Sequence, residues 1–199
     1  MAGLIPKCML NPRSKVIAVD IDEVLCPLLS TMMRWRGVES LYKRYPYVYS
    51  EILGIPEADA RKMVHEFYGT REFAEIQPLA RAQDGVFHLK QRGHILYAVT
   101  GRQNVVRRET EDWLNRHFTW GFDDLIMTDS HTPFEIPKAD VCRALNIGMI
   151  IDDDLSTCLA CRWNGMRAIH FIGDPVYPWC EESDISCKTW DDIRESPLV

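Results

Sequence analysis

Two carboxylates stand two residues apart at the end of an apolar run: Asp20 and Asp22 in KVIAVDIDEVLCPLL, residues 15–29. A buried carboxylate without a partner is costly, and a second one beside it adds repulsion. A cation between them makes the pair reasonable. Further along, Thr100, Gly101 and Arg102 follow a second apolar run, Lys138 opens a helical stretch, and Asp152, Asp153 and Asp154 follow GMII. Carboxylates suit Mg²⁺, which prefers octahedral oxygen ligands. A hydroxyl, a backbone N–H at a glycine and a lysine suit the non-bridging oxygens of a phosphate. An aspartate within reach of phosphorus can attack it. A second can give the leaving oxygen a proton and then take one from water. The inventory is that of phosphoryl transfer.

These groups need elements to position them. VIAVDI (16–21), HILYAVT (94–100), FDDLIMTD (122–129), IGMIIDD (147–153) and MRAIHFI (166–172) read as strands. Helical periodicity fills 79–93, 103–118, 137–148 and 155–165, three of which close on glycine. Arg107 faces Glu111 and Arg108 faces Asp112 at i,i+4 spacing, the mark of a solvated helix face. Such alternation predicts a mainly parallel α/β sheet, in which ligands collect at the carboxyl ends of the strands. Residues 27–77 break the rhythm: they read as several helices and carry eight of the chain's twenty aromatics. We expect an α/β, Rossmann-like core over 12–26 and 78–195, with a small helical cap over 27–77 beside the Asp pair.

The 199 residues, 46% apolar and 26% charged, suffice for one full core. A net charge of −6 argues against a protein that grips a long nucleic acid, but not against one small anionic ligand in a local pocket. No apolar run reaches membrane-spanning length. The N-terminal fifteen residues are too weakly apolar for a signal peptide and too poor in arginine for a transit peptide. Seven cysteines without framework spacing suit a reducing compartment, so the expected location is cytoplasmic.

In order, VIAVDIDEV, AVTGR, Lys138 and MIIDDD resemble the four motifs of the haloacid dehalogenase (HAD) superfamily phosphohydrolases, spanning residues 16–154. The helical insert resembles that of the deoxyribonucleotidase branch and related nucleotidases, and FIGDPVYPW (171–179) is similar to a stretch in the latter. The resemblance implies Asp20 as nucleophile and Asp22 as general acid/base. It implies Mg²⁺ held by Asp20, the Asp22 backbone carbonyl and Asp152, with Asp153 in support, and phosphate bound by Thr100, Gly101 and Lys138. Two features depart from the pattern. Glu23 stands where many relatives carry glycine, and the run Asp152-Asp153-Asp154 leaves the direct metal ligand open between Asp152 and Asp153. The expected activity is that of a Mg²⁺-dependent phosphomonoesterase working through an aspartyl phosphate. Its substrate is expected to be a small phosphate ester, a nucleoside monophosphate first, with a sugar phosphate or phosphoamino acid as alternatives. The non-enzyme alternative is a ligand-binding module that keeps the fold.

Each feature has a bland reading too. A D-x-D or a DDD run alone is a common solvated turn; four motifs in order are not. Arg102 reads equally well as a solvated side chain or one at the edge of the phosphate. Cys158 and Cys161 form a lone CxxC with no second pair at zinc spacing and read as core packing. The six histidines form no metal-ligand cluster. Trp35, Tyr42, Tyr45, Tyr47 and Tyr49 could stack on a base but read mainly as packing within the insert. A receiver domain orders its acidic groups differently, and a P-type ATPase core has threonine in place of Asp22. A phosphomutase shares the same groups and stays open.

Overall fold

A computed structural model describes residues 15–38 and 48–199. Six strands form one sheet: β1 (Val16–Val19), β2 (Ile95–Thr100), β3 (Asp124–Met127), β4 (Met149–Asp152), β5 (Arg167–Phe171) and β6 (Ser186–Cys187). Their spatial order is β3-β2-β1-β4-β5-β6, and all neighbouring pairs run parallel. The fold is the mainly parallel, Rossmann-like α/β architecture that the alternation of strands and helices predicts. Most observed strands start or stop a residue or two inside the apolar windows, because the flanking carboxylates and turns leave the ladder. The two-residue β6 is too short to announce itself in the sequence.

Alternation along β1 sorts its side chains onto two faces. Ile17 and Val19 join the larger core cluster with Leu96, Ala98, Met149 and Ile151. Ala18 joins the smaller one with Val99 and Ile150. That second face is covered by α7 (Lys138–Ala144) and α8 (Leu155–Trp163). Cys142, Cys158 and Cys161 are all fully buried there, as free thiols. The CxxC therefore packs the core.

The first face carries α5 (Ala82–Gln91), α6 (Arg107–His117) and α9 (Trp190–Glu195). Gly85 lets α5 lie flat on the Trp190 indole, since a Cβ there would come 2.2 Å from the ring. Trp190 in turn donates its indole N–H to the Val24 carbonyl at 2.8 Å.

Between β1 and β2 lie α1 (Leu28–Arg36), α2 (Tyr49–Leu53), α3 (Glu57–Tyr68) and α4 (Arg71–Ala74). Ala60, Met63 and Phe67 recur at helical spacing on α3 and are buried. Phe67 meets Trp35 at 5.5 Å and Phe73 at 5.7 Å between ring centroids, an aromatic centre for the insert. Of the aromatics read as packing, Trp35 and Tyr49 both pack against the core, Tyr49 also faces a cleft, and Tyr42, Tyr45 and Tyr47 lie outside the described residues. Among the described residues no helix is long and apolar enough to cross a membrane.

Candidate active site

Sheet order alone predicts where a ligand sits. The chain runs outward from β1 to β2 and β3 on one side, and to β4, β5 and β6 on the other, so the crevice opens above β1 and β4. Their register pairs Val19 with Ile151. The next residues, Asp20 and Asp152, leave the two strands side by side, and the Asp20 N–H donates to the Ile151 carbonyl at 2.9 Å. Asp153 follows directly. Oxygens of Asp20, Asp152 and Asp153 all lie within 4.8 Å of one another, and all three residues are buried. This trio forms the floor of a cleft of about 880 Å³.

Lys138 reaches the same point from the start of α7. Its ammonium donates to Asp20 Oδ2 at 2.6 Å and to Asp152 Oδ2 at 2.8 Å. Burial disfavours the ammonium charge, but Asp152 and Asp20 outweigh it and push the Lys138 pKa well up. Burial also raises the carboxylates. Asp20 is pushed up to about 7 by burial against the pull of Lys138, with Asp152 and Asp22 adding to the rise. Asp152 is raised by burial, and Asp153 by burial together with the charges of Asp20 and Asp152. Three buried carboxylates with one lysine carry excess negative charge, and their donor set is all oxygen. That combination fits a hard divalent cation such as Mg²⁺.

Asp22 points elsewhere. Its carboxylate takes the Arg102 Nε at 3.1 Å and Nη2 at 2.7 Å, a two-point grip. Arg102 also donates to Thr110 Oγ1 at 3.2 Å and lies 4.9 Å from the Phe73 ring centroid. Only 3% of Arg102 is exposed. Arg102 is not solvated: it is a buried partner of Asp22 that also lines the cleft, because an unpaired carboxylate at that depth is costly. The Asp22 side chain accordingly stands apart from the carboxylate trio.

Thr100, at the end of β2, is fully buried, and its hydroxyl accepts the Arg102 N–H at 3.1 Å. Gly101 lines the cleft, and a Cβ there would meet Ser130 Oγ at 3.0 Å. Ser130 therefore adds a hydroxyl beside Gly101, one that nothing in the motif spacing marked. Asp154 caps α8 by accepting the Ser156 and Thr157 N–H groups, so the third aspartate of the run serves the helix.

Glu23 also proves to be structural. It holds φ at +61°, a conformation that favours glycine, and is 2% exposed. Its Oε1 accepts the Leu29 N–H in the first turn of α1, tying the insert to the turn after Asp22. Burial, with the charges of Asp22 and Asp20, pushes its carboxyl up to about 8 against the Leu29 hydrogen bond.

This core, with carboxylates at the β1 and β4 tips and a lysine between them, is that of a HAD-superfamily phosphohydrolase. Several solved structures share the fold. A predicted phosphatase from Clostridium acetobutylicum is 15% identical with a TM-score of 0.65, covering 92% of this chain and 97% of its own. The HAD-hydrolase YfnB from Bacillus subtilis, bound to magnesium, is 14% identical with a TM-score of 0.60, covering 92% and 98%. CbbY from Rhodobacter sphaeroides, in complex with phosphate, is 16% identical with a TM-score of 0.59, covering 90% and 96%. No curated protein sequence matches the chain. A family model described as "5' nucleotidase, deoxy (Pyrimidine), cytosolic type C protein" matches residues 14–142. The chain belongs to that family of HAD-like nucleotidases, and it is a phosphatase.

Proposed function

We propose that the chain is a Mg²⁺-dependent phosphomonoesterase that hydrolyses nucleoside 5′-monophosphates through an aspartyl phosphate on Asp20. The observation that carries this reading is the buried trio Asp20, Asp152 and Asp153 with Lys138 at the floor of the cleft. Asp20, Asp152 and Asp153 would hold the ion, with the Asp22 backbone carbonyl. When bound, Mg²⁺ neutralises the phosphate oxygens and makes phosphorus open to attack. Lys138, the Gly101 N–H and the Ser130 hydroxyl hold the phosphate, while Thr100, fully buried behind the cleft wall, fixes the turn through the Arg102 N–H. The Asp20 carboxylate oxygen forms a bond to phosphorus as the ester P–O bond breaks, and Asp22 gives its proton to the leaving oxygen. Asp22 then takes a proton from water, which attacks phosphorus, releases phosphate and frees Asp20. Arg102 keeps the Asp22 carboxylate in place throughout.

Residues 27–77 serve as the cap that reads the leaving group. Leu28, Val48, Tyr49, Val64 and Tyr68 line the cleft from this segment, an apolar and aromatic wall that suits a base. The family match supports a nucleotide. Charge narrows the choice. Among the described residues, every lysine or arginine on the cleft wall is already paired: Lys138 with Asp20 and Asp152, Arg102 with Asp22, Arg61 with Glu57. Glu51 and Glu135 also face the cleft. A second anionic group would meet carboxylates, so monophosphates are favoured over diphosphates, triphosphates and bisphosphates.

The test is phosphate release from a panel of nucleotides, sugar phosphates and phosphoamino acids, with Mg²⁺, without metal, and with Asp20→Asn and Asp22→Asn. Asp20→Asn should abolish release, and Asp22→Asn should slow it by roughly 10²–10⁴-fold. Turnover by Asp20→Asn would refute the assignment of the nucleophile. Preference for a sugar phosphate would refute the nucleotide reading alone.

A further inference from the structure

The stretch FIGDPVYPW leads out of β5 and has no part in the chemistry above. It forms a strap beside the site, behind Glu23 and Asp153. The Tyr177 hydroxyl donates to the Glu23 carbonyl at 2.7 Å, and the Trp179 indole N–H donates to Asp153 Oδ2 at 3.1 Å. The two rings stack at 4.9 Å with an interplanar angle of 16°. Gly173, at φ +76°, makes room for the Tyr177 ring, which a Cβ would approach to 2.5 Å. Beneath the strap, the Asp153 carbonyl meets His170 Nε2 at 3.0 Å and Cys180 Sγ at 3.5 Å.

The three carboxylates of the trio are not held alike. Asp20 is oriented by the Ile21 N–H at 2.8 Å and by Lys138. Asp152 is oriented by the Asp154 N–H at 3.0 Å and by Lys138. Among the described residues, the Asp153 side chain accepts one hydrogen bond, from Trp179. We propose that Trp179 is a positioning residue whose indole N–H sets the orientation of the Asp153 carboxylate for the divalent cation. This rests on the reading that the trio binds Mg²⁺. Losing an outer partner of a metal ligand typically weakens binding 10–100-fold, because the ligand must then be ordered as the ion binds.

The test measures Mg²⁺ affinity by calorimetry, and Mn²⁺ affinity by electron paramagnetic resonance, on the whole chain as wild type, Trp179→Phe, Tyr177→Phe and Asp152→Asn. Trp179→Phe keeps a ring on Tyr177 and loses the donor. It should raise Kd by roughly 10-fold or more, while Tyr177→Phe, which touches only the Glu23 carbonyl, stays within about twofold of wild type. Should Trp179→Phe lose its native circular dichroism, benzothienylalanine at 179 replaces the N–H with sulfur at nearly constant shape, with the same expected loss. Unchanged affinity on removing the N–H would overturn the proposal. So would equal weakening by Tyr177→Phe, which would make the strap a general support. Wild type that binds no metal, or binds it as tightly as Asp152→Asn does, would instead overturn the metal-site reading on which the proposal rests.

Discussion

Glu23→Gln should change the pH dependence of stability far more than stability at low pH. Burial raises the Glu23 carboxyl from 4.5 to about 8 in the folded chain. Between those values the folded state holds a proton that the unfolded state has released, so stability falls as pH rises through the window. At pH 5.5 the folded carboxyl is protonated and the unfolded one ionised; by pH 9 both are ionised. The difference spans about 2.5 pKa units, or roughly 3 kcal/mol of stability lost between the two conditions. For a chain of this size that is a Tm change of about 10 °C.

Glutamine keeps the acceptor for the Leu29 N–H and carries no charge, so the variant should lack this component. It should match wild type near pH 5.5 and exceed it near pH 9. The assay is thermal or urea unfolding of the metal-free chain at pH 5.5, 7 and 9. Asp20, raised to about 7, slopes in the same direction, while the lowered His94, His117 and His170 slope the opposite way. The histidines are common to both chains and drop out of the difference, while Asp20, coupled to Glu23 by charge, is raised less in the variant and adds to it. Parallel profiles for the two proteins would refute the assignment of a buried, proton-holding Glu23.

Two other substitutions test how the site is held. Arg102→Met should cost about 3–5 kcal/mol in urea unfolding, because it leaves the Asp22 carboxylate without its partner; the same change in an Asp22→Asn background should cost clearly less. Gly173→Ala should cost about 2–3 kcal/mol, from the left-handed backbone and the displaced Tyr177 ring together. Gly93→Ala is its control, having φ +82° and open space around it. It should cost only about 1 kcal/mol, so equal losses would mean that the close approach of Tyr177 contributes nothing.

The legible part of this protein was whatever its backbone pattern determines. Five strands could be read because each combines β-branched residues with a turn signal. The juxtaposition of Asp20 with Asp152 follows from strand order and register. The helix of 155–165 was visible through its periodicity and closing glycine, and the insert through its helical character. Arg102 shows the limit. Its sequence context, a TGR turn, suited solvent or phosphate equally, and what decides is a carboxylate 80 residues away together with the Phe73 ring. Ser130 carried no local signal either, and FIGDPVYPW was marked only as a resemblance, with nothing to assign Trp179 a partner, since each acquires its role only when the chain returns to the site.

That division has a physical cause. The sheet places Asp20 and Asp152 by backbone hydrogen bonds, which any sequence able to form the strands will make. Orienting the side chains requires donors from three directions: Lys138 from α7, Arg102 from the loop after β2, and Trp179 from the strap after β5. Lys138 bridges Asp20 and Asp152, Arg102 grips both oxygens of Asp22, and Trp179 reaches one oxygen of Asp153. All three are distant in sequence from the acids they hold, as is Tyr177, which reaches Glu23 across 154 residues. A buried acidic centre of this kind repels itself, so it keeps its shape only while every carboxylate has a donor of its own. The turn 20–26 is the point where these constraints converge. It carries the proposed nucleophile Asp20, the Arg102 partner, the Glu23 link to α1 and the carbonyl held by Tyr177, within a single loop that also starts the insert.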